Sequence, residues 1–147
     1  KLSKVSLKIT LENTEKIIKS RLADKIPLKI LIVEDNNINQ KLVINMLKSL
    51  GYLPDIANNG IEAVHMTMEN NYDLVLMDLQ MPEMDGFEAA REILKKVPKA
   101  YIIAMTAAAT TEDRSASAAA GMRDFVAKPI RESDLSRALW AYYHQSL

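Results

Sequence analysis

From Lys29 onward the chain repeats one pattern: a short unbroken apolar run, then a longer stretch with apolar residues every three or four positions. The runs are Ile30 to Val33, Leu74 to Met77 (strand 73–77), Ala-Tyr-Ile-Ile-Ala-Met over 100–105, and Phe125–Ala127, with a further short strand around Leu53–Ala57. Apolar runs that do not alternate with polar residues are typical of strands covered on both faces. Between them the period becomes helical. Asn36 and Asn37 can cap a helix carrying Ile38, Leu42, Val43, Met46, Leu47 and Leu50 on one face and ending at Gly51. Further helices are expected through Ile61, Ala63, Val64, Met66 and Met68, and from Phe87 to Lys96 before Pro98. Another runs from Thr111 to Gly121, and a last one from Ser133, its cap, to His144.

Five strands alternating with five helices predict an α/β fold: a parallel sheet, helices on both faces, right-handed crossovers. The favoured order is 2-1-3-4-5, the flavodoxin-like doubly wound sheet, whose ligand crevice lies beside strands 1 and 3. Residues 28–147 make up this domain. Residues 1–27 read as an extension or linker, the tail of a preceding domain. Val5, Leu7, Ile9 and Leu11 alternate like a strand, a short helix follows from Asn13 through Ile17, Ile18 and Leu22, and Pro27 ends it.

The strand ends carry the chemistry. Strand 1 stops at Glu34-Asp35, strand 3 at Asp78, strand 4 at Thr106 and strand 5 at Lys128. In this topology all five residues converge on one sheet edge. Pro82 and Asp85-Gly86 force a loop after Asp78, leaving it at the mouth of a cleft. Close carboxylates raise one another's pKa unless a cation offsets them. A hard ion such as Mg²⁺ does so with carboxylates, a carbonyl, water and a phosphate. Lys128 and Thr106 complete a pocket for a transferring phosphoryl group, with ionised Asp78 as nucleophile.

Composition narrows the field. A chain of 147 residues, 48% hydrophobic, favours one domain with a real core. No apolar run is long enough to span a membrane. Without cysteine, disulfides and thiolate chemistry are excluded. The zero net charge is unevenly placed: residues 1–30 hold eight Lys/Arg and three Asp/Glu, leaving eleven and sixteen for the rest. An acidic body argues against direct nucleic-acid binding and suits a cation pocket.

Four segments then match a known pattern in order and spacing: Ile-Leu-Ile-Val-Glu-Asp-Asn, Met-Asp-Leu-Gln-Met-Pro-Glu-Met-Asp-Gly, Ile-Ile-Ala-Met-Thr-Ala and Phe-Val-Ala-Lys-Pro-Ile. Residues 28–147 resemble a receiver domain of two-component signalling, most like the receivers of hybrid sensor histidine kinases. The resemblance implies that Asp78 is the phosphoacceptor and that a histidine kinase or a histidine phosphotransfer domain is the donor. It implies Mg²⁺, with Mn²⁺ as a substitute, held by Asp35, Asp78 and the Gln80 backbone carbonyl, with Glu34 acting through water. Lys128 would pair with the phosphoryl group, through a cis bond to Pro129, and Thr106 would bond a phosphoryl oxygen. Phe125 would be the aromatic switch that moves inward with Thr106. Many relatives carry Tyr there, so a scheme needing that hydroxyl does not transfer. Gln80 and Ala108 occupy the two variable positions that tune hydrolysis of the acyl phosphate.

The remaining candidates read more plainly. His65 and His144 lie on amphipathic helices without a partner His or Cys, and the dispersed methionines suit core filling. Trp140, Tyr142 and Tyr143 either pack or mark a docking face, because receivers bind partners or a second receiver through helix 4, strand 5 and helix 5. A phosphohydrolase using an aspartyl phosphate would usually carry a second Asp two residues after the nucleophile, where this chain has Gln80. A flavodoxin-like cofactor carrier would need a Ser/Thr/Gly-rich loop after strand 1, where Glu34-Asp35 would repel phosphate. The setting expected is a terminal receiver of a hybrid kinase, with segment 4–11 resembling the closing strand of a kinase ATP-binding domain. A stand-alone regulator is the alternative. The domain's own chemistry is self-phosphorylation and autodephosphorylation, and the parent protein would be the kinase. A cytoplasmic location goes with that setting, without membrane contact by this segment.

Overall fold

A computed structural model of the chain describes residues 22–108 and 110–146. The strand and most of the helix expected before residue 22 lie outside the described residues. Five strands form one parallel sheet in the order β2-β1-β3-β4-β5. They are β1 (Ile30–Val33), β2 (Asp55–Ala57), β3 (Leu74–Asp78), β4 (Ile102–Thr106) and β5 (Asp124–Ala127). The helices that follow them are α1 (Asn37–Ser49), α2 (Gly60–Glu69), α3 (Gly86–Lys96), α4 (Thr111–Ala119) and α5 (Glu132–Ser146).

The uninterrupted apolar runs have a direct structural cause. Alternate residues of β1, β3 and β4 enter two different cores. Ile30, Ile32, Leu74, Leu76, Ile103 and Met105 pack beneath α1 and α5 with Val43, Leu47, Leu135 and Leu139. Leu31, Val33, Val75, Met77, Ile102 and Ala104 face the other way, against Ala63, Ala89, Ala90 and Ile93 of α2 and α3. Alanines there let the two helices approach the sheet and each other closely.

Local signals fix the helix ends. Asn36, Asn59, Asp85 and Thr110 each accept backbone N–H bonds from the first turn that follows, satisfying donors the helix itself cannot. At the end of α1, Gly51 adopts φ 96°. The N–H of Gly51 bonds the Lys48 carbonyl and that of Tyr52 the Leu47 carbonyl, both at 2.9 Å. This paired closure needs a left-handed residue, which glycine supplies without strain.

Several expectations are corrected. The buried stripe of α1 is Gln40, Val43 and Leu47, whereas Ile38 is 78% and Leu42 42% exposed. Apolar spacing alone placed the stripe's centre too far toward those two. Leu53 is exposed and β2 begins only at Asp55, since Pro54 has no N–H for the ladder. Strand β4 starts at Ile102 because the Ala100 N–H turns back to the Val97 carbonyl. Ser133 lies inside α5, whose first turn closes on the Arg131 carbonyl, so it is not the cap. Met68 is exposed and fills no core.

Residues 22–25 form a short helical turn. Leu22 and Ile26 are buried among Leu50, Tyr52 and Leu139. The Ala23 N–H bonds the Leu50 carbonyl at 3.2 Å, and the Tyr52 hydroxyl donates to the Ile26 carbonyl at 2.7 Å. Burial pushes that phenol up to about 12. On α5, Tyr142 meets Tyr101 edge to face at 4.9 Å, while Trp140 is 40% exposed, its ring 5.9 Å from Tyr143 and 5.6 Å from His144. His65 and His144 are both exposed. Among the described residues, no helix is long and apolar enough to cross a membrane.

Candidate functional site

The carboxyl edge of the sheet is held level by backbone bonds just past the strands. The Glu34 N–H bonds Ala57 at 3.1 Å, Leu79 bonds Met105 at 3.1 Å and Lys128 bonds Thr106 at 2.7 Å, each at the carbonyl. Parallel pairing therefore brings Glu34, Asp78, Thr106 and Lys128 to one rim. Glu34, Asp78 and Thr106 are buried, and Asp35 beside them is exposed. One carboxylate oxygen each from Glu34, Asp35 and Asp78 lies within 4.8 Å of the others. Among the described residues this is the one grouping of three or more acidic, His or Cys side chains close enough to share a metal ion, and it includes neither histidine.

Lys128 reaches across from the end of β5. Its ammonium lies 3.0 Å from Glu34 Oε2 and 3.0 Å from Asp78 Oδ1. Asp78 Oδ1 also accepts the Gln80 N–H at 3.2 Å. Burial pushes the Asp78 carboxyl up to about 6, assisted by the Glu34 charge. Lys128 pulls it back only in part, because one ammonium is shared between two carboxylates. Burial works against the Lys128 charge, yet its hydrogen bonds and attraction to Glu34 and Asp78 leave the lysine raised. The bond from Lys128 to Pro129 is cis.

The loop that follows Asp78 is shaped by Gly86, the first residue of α3. A Cβ there would collide with the backbone of Asp78 and Leu79. Only glycine lets the start of α3 lie this close to the strand end. The Gly86 N–H bonds the Leu79 carbonyl at 3.1 Å, closing the loop over Gln80 to Asp85.

Thr106 and Phe125 lie on neighbouring strands, paired so that Ala104 faces Phe125 and Thr106 faces Ala127. The Thr106 hydroxyl accepts the Ala108 N–H at 3.1 Å and lies 3.3 Å from the Ala108 carbonyl. Phe125 is half-buried, and the Arg114 guanidinium of α4 sits 4.2 Å from its ring centroid.

Three amides around Glu34 were not singled out from the sequence. Asn39 Nδ2 donates to Glu34 Oε1 at 3.3 Å. Gln40 Nε2 donates to the Glu34 carbonyl at 2.6 Å and to Asn58 Oδ1 at 2.9 Å. The available signal was a polar residue three positions before Val43 and seven before Leu47, in the buried stripe of an amphipathic helix.

The donor set is all oxygen, anionic and clustered, which fits a hard divalent cation better than a soft one. The model for the response regulator receiver domain matches residues 30–139. The chain belongs to the response regulator receiver family. Hybrid signal transduction histidine kinase B of Dictyostelium discoideum is 42% identical over 137 residues, spanning 84% of this chain and 7% of that protein. Histidine kinase 5 of Arabidopsis thaliana is 36% identical over 144 residues, 79% of this chain and 16% of the relative. The receiver thus corresponds to a small part of the proteins it resembles.

Among solved structures, the receiver domain of the Pseudomonas aeruginosa sensor histidine kinase PA1611 is 41% identical with a TM-score of 0.73, covering 78% of this chain and 96% of that one. That structure has a magnesium ion coordinated in its active-site cleft. The receiver domain of Saccharomyces cerevisiae Ssk1, co-crystallised with the histidine phosphotransfer protein Ypd1, is 31% identical with a TM-score of 0.74, covering 82% of this chain and 92% of that one.

Proposed function

We propose that this receiver accepts a phosphoryl group on Asp78 from a phosphohistidine. Mg²⁺, or Mn²⁺ in its place, would be held by Asp35, Asp78 and the Gln80 backbone carbonyl, with Glu34 acting through water. The observation that carries the proposal is the buried Asp78 carboxylate, bridged by Lys128 to Glu34 within a three-carboxylate cluster. A carboxylate oxygen of Asp78 attacks phosphorus, the P–O bond forms as the P–N bond to the donor imidazole breaks, and the imidazole leaves with its electron pair. The metal, when bound, offsets negative charge on the phosphoryl oxygens. Lys128 is already beside the Asp78 oxygen and pairs with that charge. Thr106 donates its hydroxyl to a phosphoryl oxygen once released from Ala108. Phe125, on the neighbouring strand two residues back from the rim where Thr106 faces Ala127, follows Thr106 inward.

The donor is a histidine kinase or a histidine phosphotransfer domain. Support comes from a small cleft of about 80 Å³ beside the site, lined by Leu42, Val43, Lys128, Pro129 and Ile130. Exposed Ile38 and Leu42 lie on the neighbouring face of α1 and offer an apolar seat for a helical donor. The setting proposed is the receiver of a hybrid sensor kinase in the cytoplasm. Residues 1–27 would be its linker, and a second receiver would pair through α4, β5 and α5, where Trp140 is exposed.

Intact mass after incubation with acetyl phosphate tests the chemistry. One added phosphoryl group is expected with Mg²⁺, none with excess chelator and none in Asp78→Asn. An adduct that persists in Asp78→Asn would refute the assignment.

A further inference from the structure

Gln40 is a polar residue in the buried stripe of α1, 8% exposed. Its side-chain nitrogen has two hydrogens, and both are used. One goes to the Glu34 carbonyl at 2.6 Å, the other to Asn58 Oδ1 at 2.9 Å in the loop between β2 and α2. The Glu34 carbonyl belongs to the peptide unit shared by Glu34 and Asp35, and that unit is planar. Pinning the oxygen therefore pins the N–H and Cα of Asp35 as well. On its other side Glu34 is tied by its own N–H to Ala57 at 3.1 Å. Its carboxylate is held by the Asn36 N–H and Asn39 at Oε1 and by Lys128 at Oε2. Every polar atom of Glu34 is thus fixed. Asp35 is exposed, and its placement depends on the peptide that Gln40 holds.

We propose that Gln40 is a positioning residue for the cation pocket: by clamping the Glu34–Asp35 peptide to the β2–α2 loop, it aims the Asp35 carboxylate at Asp78. This rests on the reading of the acidic cluster as a Mg²⁺ site. A chelating pair aimed before the ion arrives binds more tightly than one that must be ordered by it. Gln40 touches neither metal nor phosphoryl group, so its effect lies in binding and not in the transfer step.

The test titrates the full chain with MgCl₂ by calorimetry and follows acetyl phosphate uptake against Mg²⁺ concentration. Gln40→Met keeps the side chain's length and removes both donors. Mg²⁺ affinity is expected to fall about fivefold, about 1 kcal/mol. The uptake rate at saturating Mg²⁺ should stay within twofold of wild type. Asn58→Leu removes the outer anchor from an exposed position and should weaken Mg²⁺ binding in the same direction, which covers the case in which Gln40→Met does not fold. A purely structural role predicts a lower melting temperature with unchanged Mg²⁺ affinity in both variants, and that result overturns the proposal. A wild-type chain that binds no Mg²⁺ at millimolar concentration would instead overturn the metal reading beneath it.

Discussion

Replacing Asp78 by Asn should stabilise the metal-free receiver at neutral pH. The folded carboxyl holds its proton up to about 6, against an ordinary 3.8, chiefly because it is buried with only 3% exposed. Between those two pH values the folded chain binds more protons at Asp78 than the unfolded chain does. Stability therefore falls as pH rises through this window, and the loss is complete above about pH 6. The difference corresponds to about 3 kcal/mol, less whatever the site recovers by relaxing. Asparagine resembles the protonated carboxyl and escapes the loss, while Lys128 keeps its partner Glu34 at 3.0 Å. Urea unfolding without divalent ions, read by circular dichroism, should show the variant close to wild type near pH 4 and about 2–3 kcal/mol more stable at pH 7.5. Added Mg²⁺ should close the gap from the wild-type side, by about 2.7 kcal/mol at a hundredfold excess over its Kd. A gap of equal size at both pH values would refute the reasoning, as would a wild type that is the more stable at pH 7.5.

Two further outcomes are expected. Tyr52→Phe removes the donor to the Ile26 carbonyl, so global stability should fall by about 1 kcal/mol and tryptic cleavage after exposed Lys25 should quicken; unchanged cleavage would show that the hydroxyl does not hold the segment. Arg114→Ala strips the cation from the Phe125 ring, and a double-mutant cycle with Phe125→Leu should return a coupling of about 0.5–1 kcal/mol, whereas zero coupling would mean that the stacked pair contributes nothing.

How the receiver is put together was largely legible in the chain. Apolar runs of strand length specify β1, β3 and β4, because a strand covered on both faces must be apolar. Strands β2 and β5, which begin at Asp55 and Asp124, are legible mainly from the helices and turn residues around them. The chemistry was legible for a related reason. In a parallel sheet every strand ends on the same edge, so Glu34, Asp35, Asp78, Thr106 and Lys128 could be placed together from their positions after the runs. Their types alone then point to a charged oxygen pocket.

Other features belong to the tertiary structure alone. That Lys128 bridges Glu34 and Asp78, and that burial lifts the Asp78 carboxyl, depends on distances across strands far apart in sequence. The same holds for Gln40. Its side chain meets Asn58 only because β2 pairs beside β1, and no local pattern separates a buried bridging amide from a solvated one. Leu22 and Ile26, before the expected start of the receiver, pack among Leu50 and Tyr52 for similar reasons. Periodicity states which residues can be buried within one element. Which of them are buried, as exposed Ile38 and Leu42 show, is decided by the rotation at which the helix meets its sheet.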